Sequence, residues 1–397
     1  MAGAGAGPVV GQNEYFRWRG PGQIGAHSRA YAVLLEPQSQ RIAANLGIGP
    51  AHEADECLAC HSDNVPPAMR GDRFQISDGV GCEACHGGAE NWLASHRIGP
   101  PHAENIANGL YPTEDPTARA ELCISCHLGS SVENQFVTHR IMGAGHPRMK
   151  FELDLYTTIQ KHHTVDEDYR ARKEVAESAQ VWAIGQAVTL ARMLDLFVNE
   201  NVGMSGAFPE LVFFDCHACH QPISNDISQL SWRPNPARPV GPGSPTFNDA
   251  HLIMLTAAAR ALDTQAAETL EAQGRRFHAA LLESRDDAMA AARALAATAR
   301  DLAAQFDRTS FEDADARAML GQVLAASLSA RYTNYAAAEQ ALFAVQRLTA
   351  DITGEDPPRE LSDAVNRASQ HVASPYAYNQ SGFRRALNEI ASMIGGG

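Results

Sequence analysis

Cys57-Leu58-Ala59-Cys60-His61 opens a series, because the same Cys-x-x-Cys-His spacing returns as Cys82-Glu83-Ala84-Cys85-His86, Cys123-Ile124-Ser125-Cys126-His127 and Cys216-His217-Ala218-Cys219-His220. These copies use all 8 cysteines of the chain. Two thiols spaced i, i+3 lie on one side of a helical turn, where they can form thioethers with the two vinyl groups of a single porphyrin. The histidine that follows at once lies beneath the ring and offers an imidazole nitrogen to the iron. C-x-x-C-H is the attachment sequence of a c-type haem. A zinc ribbon also uses Cys-x-x-Cys pairs, but it requires no trailing histidine. A disulfide framework explains the even cysteine count and, again, not the histidines. Histidine fills 16 of 397 positions, so four of them would follow four such pairs by chance roughly three times in a million. The expectation is four covalently bound haem c groups. Cys57, Cys60, Cys82, Cys85, Cys123, Cys126, Cys216 and Cys219 would carry the thioethers, and His61, His86, His127 and His220 would be the proximal iron ligands.

Outward from these motifs the chain changes texture. After an N-terminal extension, residues 1–24, comes a stretch rich in Gly, Pro, His and Cys with little sustained periodicity. Three of the four motifs lie there. A haem-packed domain reads this way because porphyrins supply core volume that side chains would otherwise fill. From about residue 168 to 199 the spacing predicts one long helix, with Val175, Ala179, Trp182, Gln186, Leu190, Met193 and Phe197 recurring at i+3/i+4. The fourth motif follows, so the expected tetrahaem domain spans 25–231. Residues 232–249 are rich in Pro and Gly and read as an extended connector. Residues 250–397 are Ala-rich, carry no cysteine and show several apolar stripes, the longest running from Phe277 through Leu281, Ala288, Leu295 and Leu302 to Phe306. Helices with short connections predict an antiparallel bundle. The fold class is therefore mainly α: a compact multihaem domain with little regular sheet, followed by a helical bundle.

Composition narrows the partners. A formal charge of -14 and a pI near 5.6 argue against nucleic acid, which requires a basic face. Acidity of this size serves solubility, and it also steers the molecule toward a redox partner with a basic docking face. Covalent haem attachment takes place outside the bacterial inner membrane, so a periplasmic or extracellular protein is expected. Met1-Ala2-Gly3-Ala4-Gly5-Ala6-Gly7-Pro8 has no basic or apolar region of an export signal; the expectation is that the signal has been removed or replaced by an initiator methionine. The best membrane-span candidate, Val181 to Val198, is broken by Arg192 and Asp195, so no integral membrane segment is expected. No oligomeric state is read from the chain.

The sixth position of each iron decides what a haem does. A second histidine gives a low-spin carrier, a methionine raises the potential, and an empty position lets the iron bind a small molecule. Four histidines near the motifs stand out as distal candidates: His27, His96, His139 and His146. The last two frame Thr138-His139-Arg140-Ile141-Met142-Gly143-Ala144-Gly145-His146-Pro147, whose glycines permit close approach to a flat ring. His162, His163 and His251 come next. His278 and His371, in the cysteine-free region, read as ordinary surface residues.

Asp78-Gly79-Val80-Gly81-Cys82-Glu83-Ala84-Cys85-His86-Gly87-Gly88 resembles the G-V-G-C-E-x-C-H-G segment of the cytochrome c554 family, tetrahaem electron acceptors linked to hydroxylamine oxidation. Ala26-His27-Ser28-Arg29-Ala30 is similar to the family's early distal-histidine segment, and Ser95-His96-Arg97 to another ligand segment. The motifs at Cys57 and Cys123 resemble the family's second and fourth. The likeness covers roughly residues 25–165. It departs in lacking the family's first motif and in adding both a motif at Cys216 and a helical C-terminal region. The resemblance implies a packed multihaem arrangement and electron transfer. It also implies that the haem of Cys57–His61 is the first suspect for a missing distal side chain.

The leading expectation is a tetrahaem c-type cytochrome passing electrons between a donor and an acceptor protein in the periplasm, with all or most irons bis-histidine. The alternative is an oxidoreductase acting on a nitrogen oxide or oxygen species at one open, five-coordinate haem. All four motifs are regular and no catalytic residue is assigned, which favours electron transfer over an enzyme.

Overall fold

The computed structural model describes residues 13–97, 102–173, 175–204, 208–220, 235, 237–241, 243–326, 332, 334–354 and 357–394. Among them every regular element is an α or 3-10 helix, with no strand and only two isolated bridges, Phe214 with Phe247 and Asn235 with Arg238. The protein is mainly α, as its sequence predicts. It divides into two compact units, residues 1–151 with 155–176, and residues 152–154 with 177–397.

The first unit is built of short helices separated by turns, and the cysteine motifs end three of them: Asp55–His61, Cys82–His86 and Pro116–His127. Each start has a local cause. Asp55 and Glu56 place negative charge in the first turn of one. Asp115 caps another by accepting from the Thr117 and Ala118 amides, with Pro116 in the first turn where its missing N–H costs nothing. The Cys82–His86 turn sits between Gly81 and Gly87, whose φ of 76° ends it. Side chains supply little core here: Leu34, Ala43, Ala51 and Leu58 cluster with Tyr31, Ile48, Cys57 and Ile76 around them. Trp18 is tied across the unit by donating from Nε1 to the Val80 carbonyl at 3.0 Å, so part of the expected extension belongs to the fold.

The second unit has a conventional core. Its Ser178–Val198 helix is buried on nearly every side and packs most heavily on Arg285–Asp307, with Ala250–Leu262 and Tyr335–Thr353 also against it. Gly185 makes room for Leu153, whose Cβ would lie 2.5 Å from any Cβ there. Asp351 accepts from the Ala179 amide at 3.1 Å and so caps the buried helix start. By length and composition this helix could cross a membrane, but 83% of the apolar stretch is buried inside the protein, as befits a core helix. Consecutive helices such as Ala250–Leu262 and Thr264–Ala280, joined through Asp263 alone, pack as neighbours.

Four expectations about organisation change. The single helix over 168–199 is two, Glu167–Arg172 and Ser178–Val198, because polar residues fill the first and apolar residues the second, with Lys173 and Glu177 extended between them. Only the second has a core to enter. The boundary near 231 moves to residues 176–177, so the fourth motif belongs with the bundle. Its anchor is local pairing: Asp215 donates its amide to the Thr246 carbonyl at 2.8 Å, and Asn248 donates to the Phe213 carbonyl at 2.8 Å. The described part of the expected connector packs inside this unit, with Arg238, Val240 and Phe247 buried; residues 232–234, 236 and 242 lie outside the described residues. The long stripe from Phe277 to Phe306 is likewise two helices, parted at Ser284, which caps the second by accepting from the Asp287 amide.

Candidate haem sites

The first unit brings imidazoles to its three motif histidines from distant parts of the chain. The ring centroids of His27 and His127 lie 6.0 Å apart. Those of His61 and His146 lie 6.5 Å apart. His86 faces His162 at 6.1 Å and His163 at 5.7 Å. An iron held between two imidazole nitrogens at about 2.0 Å each separates the ring centroids by roughly 6.3 Å. All three proximal histidines thus face a second imidazole at a spacing that fits a bis-histidine haem iron.

The nitrogens are also presented correctly. His61 uses Nδ1 toward the Ala30 carbonyl at 2.9 Å, His146 toward Pro147 at 2.8 Å and His162 toward Gln160 at 2.9 Å. When Nδ1–H donates to a carbonyl, the lone pair is left on Nε2, the atom an iron needs. Burial pushes the His86 and His127 imidazoles down to about 4, reinforced at His86 by His162 and at His127 by His27. Burial also lowers His27 and His61. Each is then neutral at physiological pH, as ligation requires. Phe151 stacks on His127 at 5.1 Å and Tyr156 meets it edge-on at 5.3 Å.

The thiols converge. Cys60 and Cys126, from different motifs, are hydrogen-bond partners, and Cys85 lies within electrostatic range of Cys123 and Cys126. Burial pushes Cys85 up to about 12 and Cys123 up to about 11, so both are protonated thiols before thioether formation removes their titration. Thioether-bound groups here would be held by thiols from three motifs that share one region of the unit.

The glycine-rich stretch before Cys82 has a positional role. Gly79, at φ 71°, lies so close to the His27 segment that a Cβ would come within 2.6 Å of the His27 carbonyl oxygen. That same carbonyl accepts from the Val80 amide at 3.0 Å. The stretch therefore clamps the backbone that carries His27. Glu83 accepts from the Ala89 amide at 2.7 Å and holds the turn after His86.

Residues 12–87, which include His27 and the first two motifs, match the family described as cytochrome c554 and c-prime. Over those residues the chain is similar to c-type cytochromes of that family. No curated protein and no solved structure matched it. Membership of that family implies covalently bound haem c, and the residues of the first unit fit such a group: paired thiols, a neutral imidazole next to them and a second imidazole opposite.

The other expected residues fall as follows. His96 is exposed, and its ring meets Trp92 at 5.5 Å instead of a proximal imidazole. His139 opens the short helix His139–Gly143, capped by Thr138. The Cys57–His61 site, the first suspect for an open position, has His146 opposite. In the second unit, Asp215 caps the Cys216–Cys219 turn and His217 packs edge-on against Tyr335 at 5.8 Å, while His220 is exposed. His251 contacts the Gln186 side-chain oxygen at 2.8 Å, and His278 is fully buried rather than on the surface. It is His162 and His163, ranked below His96 as candidates, that face His86. The signal for them was the His-His dipeptide itself, set in a non-helical segment between two helices.

Proposed function

We propose that this cytochrome is a tetrahaem electron carrier of the periplasm, exchanging electrons with a donor and an acceptor protein through an acidic surface. The observation that carries this reading is the pairing of every proximal histidine in the first unit with a second imidazole at 5.7–6.5 Å. An iron with both axial positions filled by histidine has no place for a substrate and shuttles between ferric and ferrous states with little rearrangement. The converging thiols support short electron paths between neighbouring porphyrins. The Cys216–His220 motif would carry the fourth haem on the second unit. Bound haem supplies the redox change. The chain's own residues hold the thioether sulfurs, orient imidazole lone pairs through carbonyl partners and shield the irons from water. A net charge of -14 favours a basic partner.

Mass spectrometry should show four covalent haems on the intact chain. Electron paramagnetic resonance of the oxidised protein should show low-spin signals from the three haems of the first unit, none of which binds carbon monoxide after reduction. A high-spin, carbon monoxide-binding haem at any of those three motifs would overturn the carrier reading there.

A further inference from the structure

Two imidazoles compete for one iron position at the second motif. Once His86 takes the proximal place, one axial site remains, yet His162 and His163 both face it. Their spacings of 6.1 and 5.7 Å from His86, with interplanar angles of 70° and 80°, each come near the geometry of a bis-histidine iron. The ligand nitrogens of all three histidines lie within 4.8 Å of one another. The two competing rings are 4.2 Å apart, tilted by 44°. Resting on the haem reading above, we propose that the haem held by Cys82, Cys85 and His86 has two exchangeable sixth ligands, His162 and His163.

The local backbone permits the exchange. Residues 161–166 belong to no helix, the flanking helices being Leu153–Ile159 and Glu167–Arg172. A rotation there breaks no helical hydrogen bond, and the rings need to move only about the distance that separates them. In the exchange the iron–Nε2 bond to one histidine breaks as the bond to the other forms, with no change of oxidation state and no proton released.

The two ligands are held differently. His162 is aimed by the Gln160 carbonyl at 2.9 Å, and the Gln160 side-chain amide in turn donates to the Ile24 carbonyl at 3.1 Å, which ties it to the c554-like segment. His163 is half-exposed, with Nδ1 4.0 Å from the Glu14 carboxylate. His162 is the resting ligand and His163 the reserve. The negative Glu14 carboxylate near His163 stabilises the more positive ferric state, so the His163-bound form has the lower potential.

The test is a set of three variants studied as full-length haem-loaded protein. His162→Ala and His163→Ala should each keep every haem of the first unit low-spin and inert to carbon monoxide, with the His162→Ala haem shifted to lower potential. The double variant should convert one haem to high spin with new carbon monoxide binding. His162→Gln with His163→Gln repeats the double change at larger side-chain volume, in case the alanine pair does not fold. High spin in either single variant shows a sole ligand and overturns exchange. Low spin in both double variants shows that neither histidine ligates, which overturns it equally. Absence of haem from the Cys82–Cys85 peptide of the parent protein is a separate result, since it removes the haem reading itself.

Discussion

Replacing Gly79 by alanine tests how backbone packing sets an iron ligand. Gly79 has φ 71° and ψ -136°, a region that side-chain-bearing residues enter at a cost of about 1–3 kcal/mol. Its new Cβ would lie 2.6 Å from the His27 carbonyl oxygen and 3.3 Å from the Ala30 amide nitrogen, both backbone atoms that no rotamer change can move. Relief of the clash separates the two chain segments and sacrifices the Val80-to-His27 hydrogen bond, worth about 1 kcal/mol. The total is about 2–4 kcal/mol. Because His27 rides on the displaced segment, its imidazole should also draw back from His127. We expect a lower urea midpoint followed by Soret absorbance, together with partial high-spin character and carbon monoxide binding at one haem. Gly47→Ala is the matched control. Its φ of 74° is similar, but nothing lies within 4 Å of the new Cβ, so only the conformational cost of about 1 kcal/mol applies and no spectral change should follow. Equal effects of the two substitutions, or an unchanged spectrum in Gly79→Ala, would refute the clamp.

Other outcomes follow from the same geometry. His146→Ala should remove the imidazole opposite His61 and make one haem high-spin, while His96→Ala should leave the spectrum as it is; visible and paramagnetic resonance spectra decide. Arg238→Met should destabilise the second unit by about 3–5 kcal/mol in denaturant unfolding, since it strands the Asp249 carboxylate, 4% exposed, without its guanidinium; adding Asp249→Leu should recover much of the loss. Burial lowers the His278 imidazole below its usual 6.5 despite the opposing pull of Asp249. The unfolded chain therefore binds a proton that the folded one refuses, so stability of this unit should be full above pH of about 6.5 and fall as pH drops below it; unfolding midpoints across pH 5–8 give the slope, and His278→Gln should flatten it. Electron transfer with a basic partner protein should slow as salt rises, measured by stopped-flow absorbance.

Much of the chemistry was legible along the chain because it is local. A thioether pair and its proximal histidine occupy five consecutive residues, so Cys57–His61 and its three repeats read as haem-attachment sequences before any folding is considered. Helical content was legible for the same reason, since an apolar stripe such as Leu190, Met193 and Phe197 is a property of neighbouring residues. The Gly79–Glu83 stretch was recognisable as a family feature, but its purpose, holding the His27 backbone at hydrogen-bonding distance, is visible only in three dimensions.

What only the tertiary structure decided is which imidazoles stand opposite the three motif histidines of the first unit, and the division of the chain. These pairings act through space: His27 meets His127, His146 meets His61, and His162 with His163 meets His86, all across long stretches of sequence. His96, although it follows the second motif closely, turns to Trp92 instead. The boundary moved for a related reason. The cysteines of Cys216–His220 resemble those of the first unit, but main-chain bonds to residues 246–248 and the burial of Phe213 and Phe247 tie that motif to the helical bundle. Sequence determines which group a short motif can bind, since bonded neighbours set that geometry; the fold determines what stands opposite, since packing alone brings distant side chains to one metal.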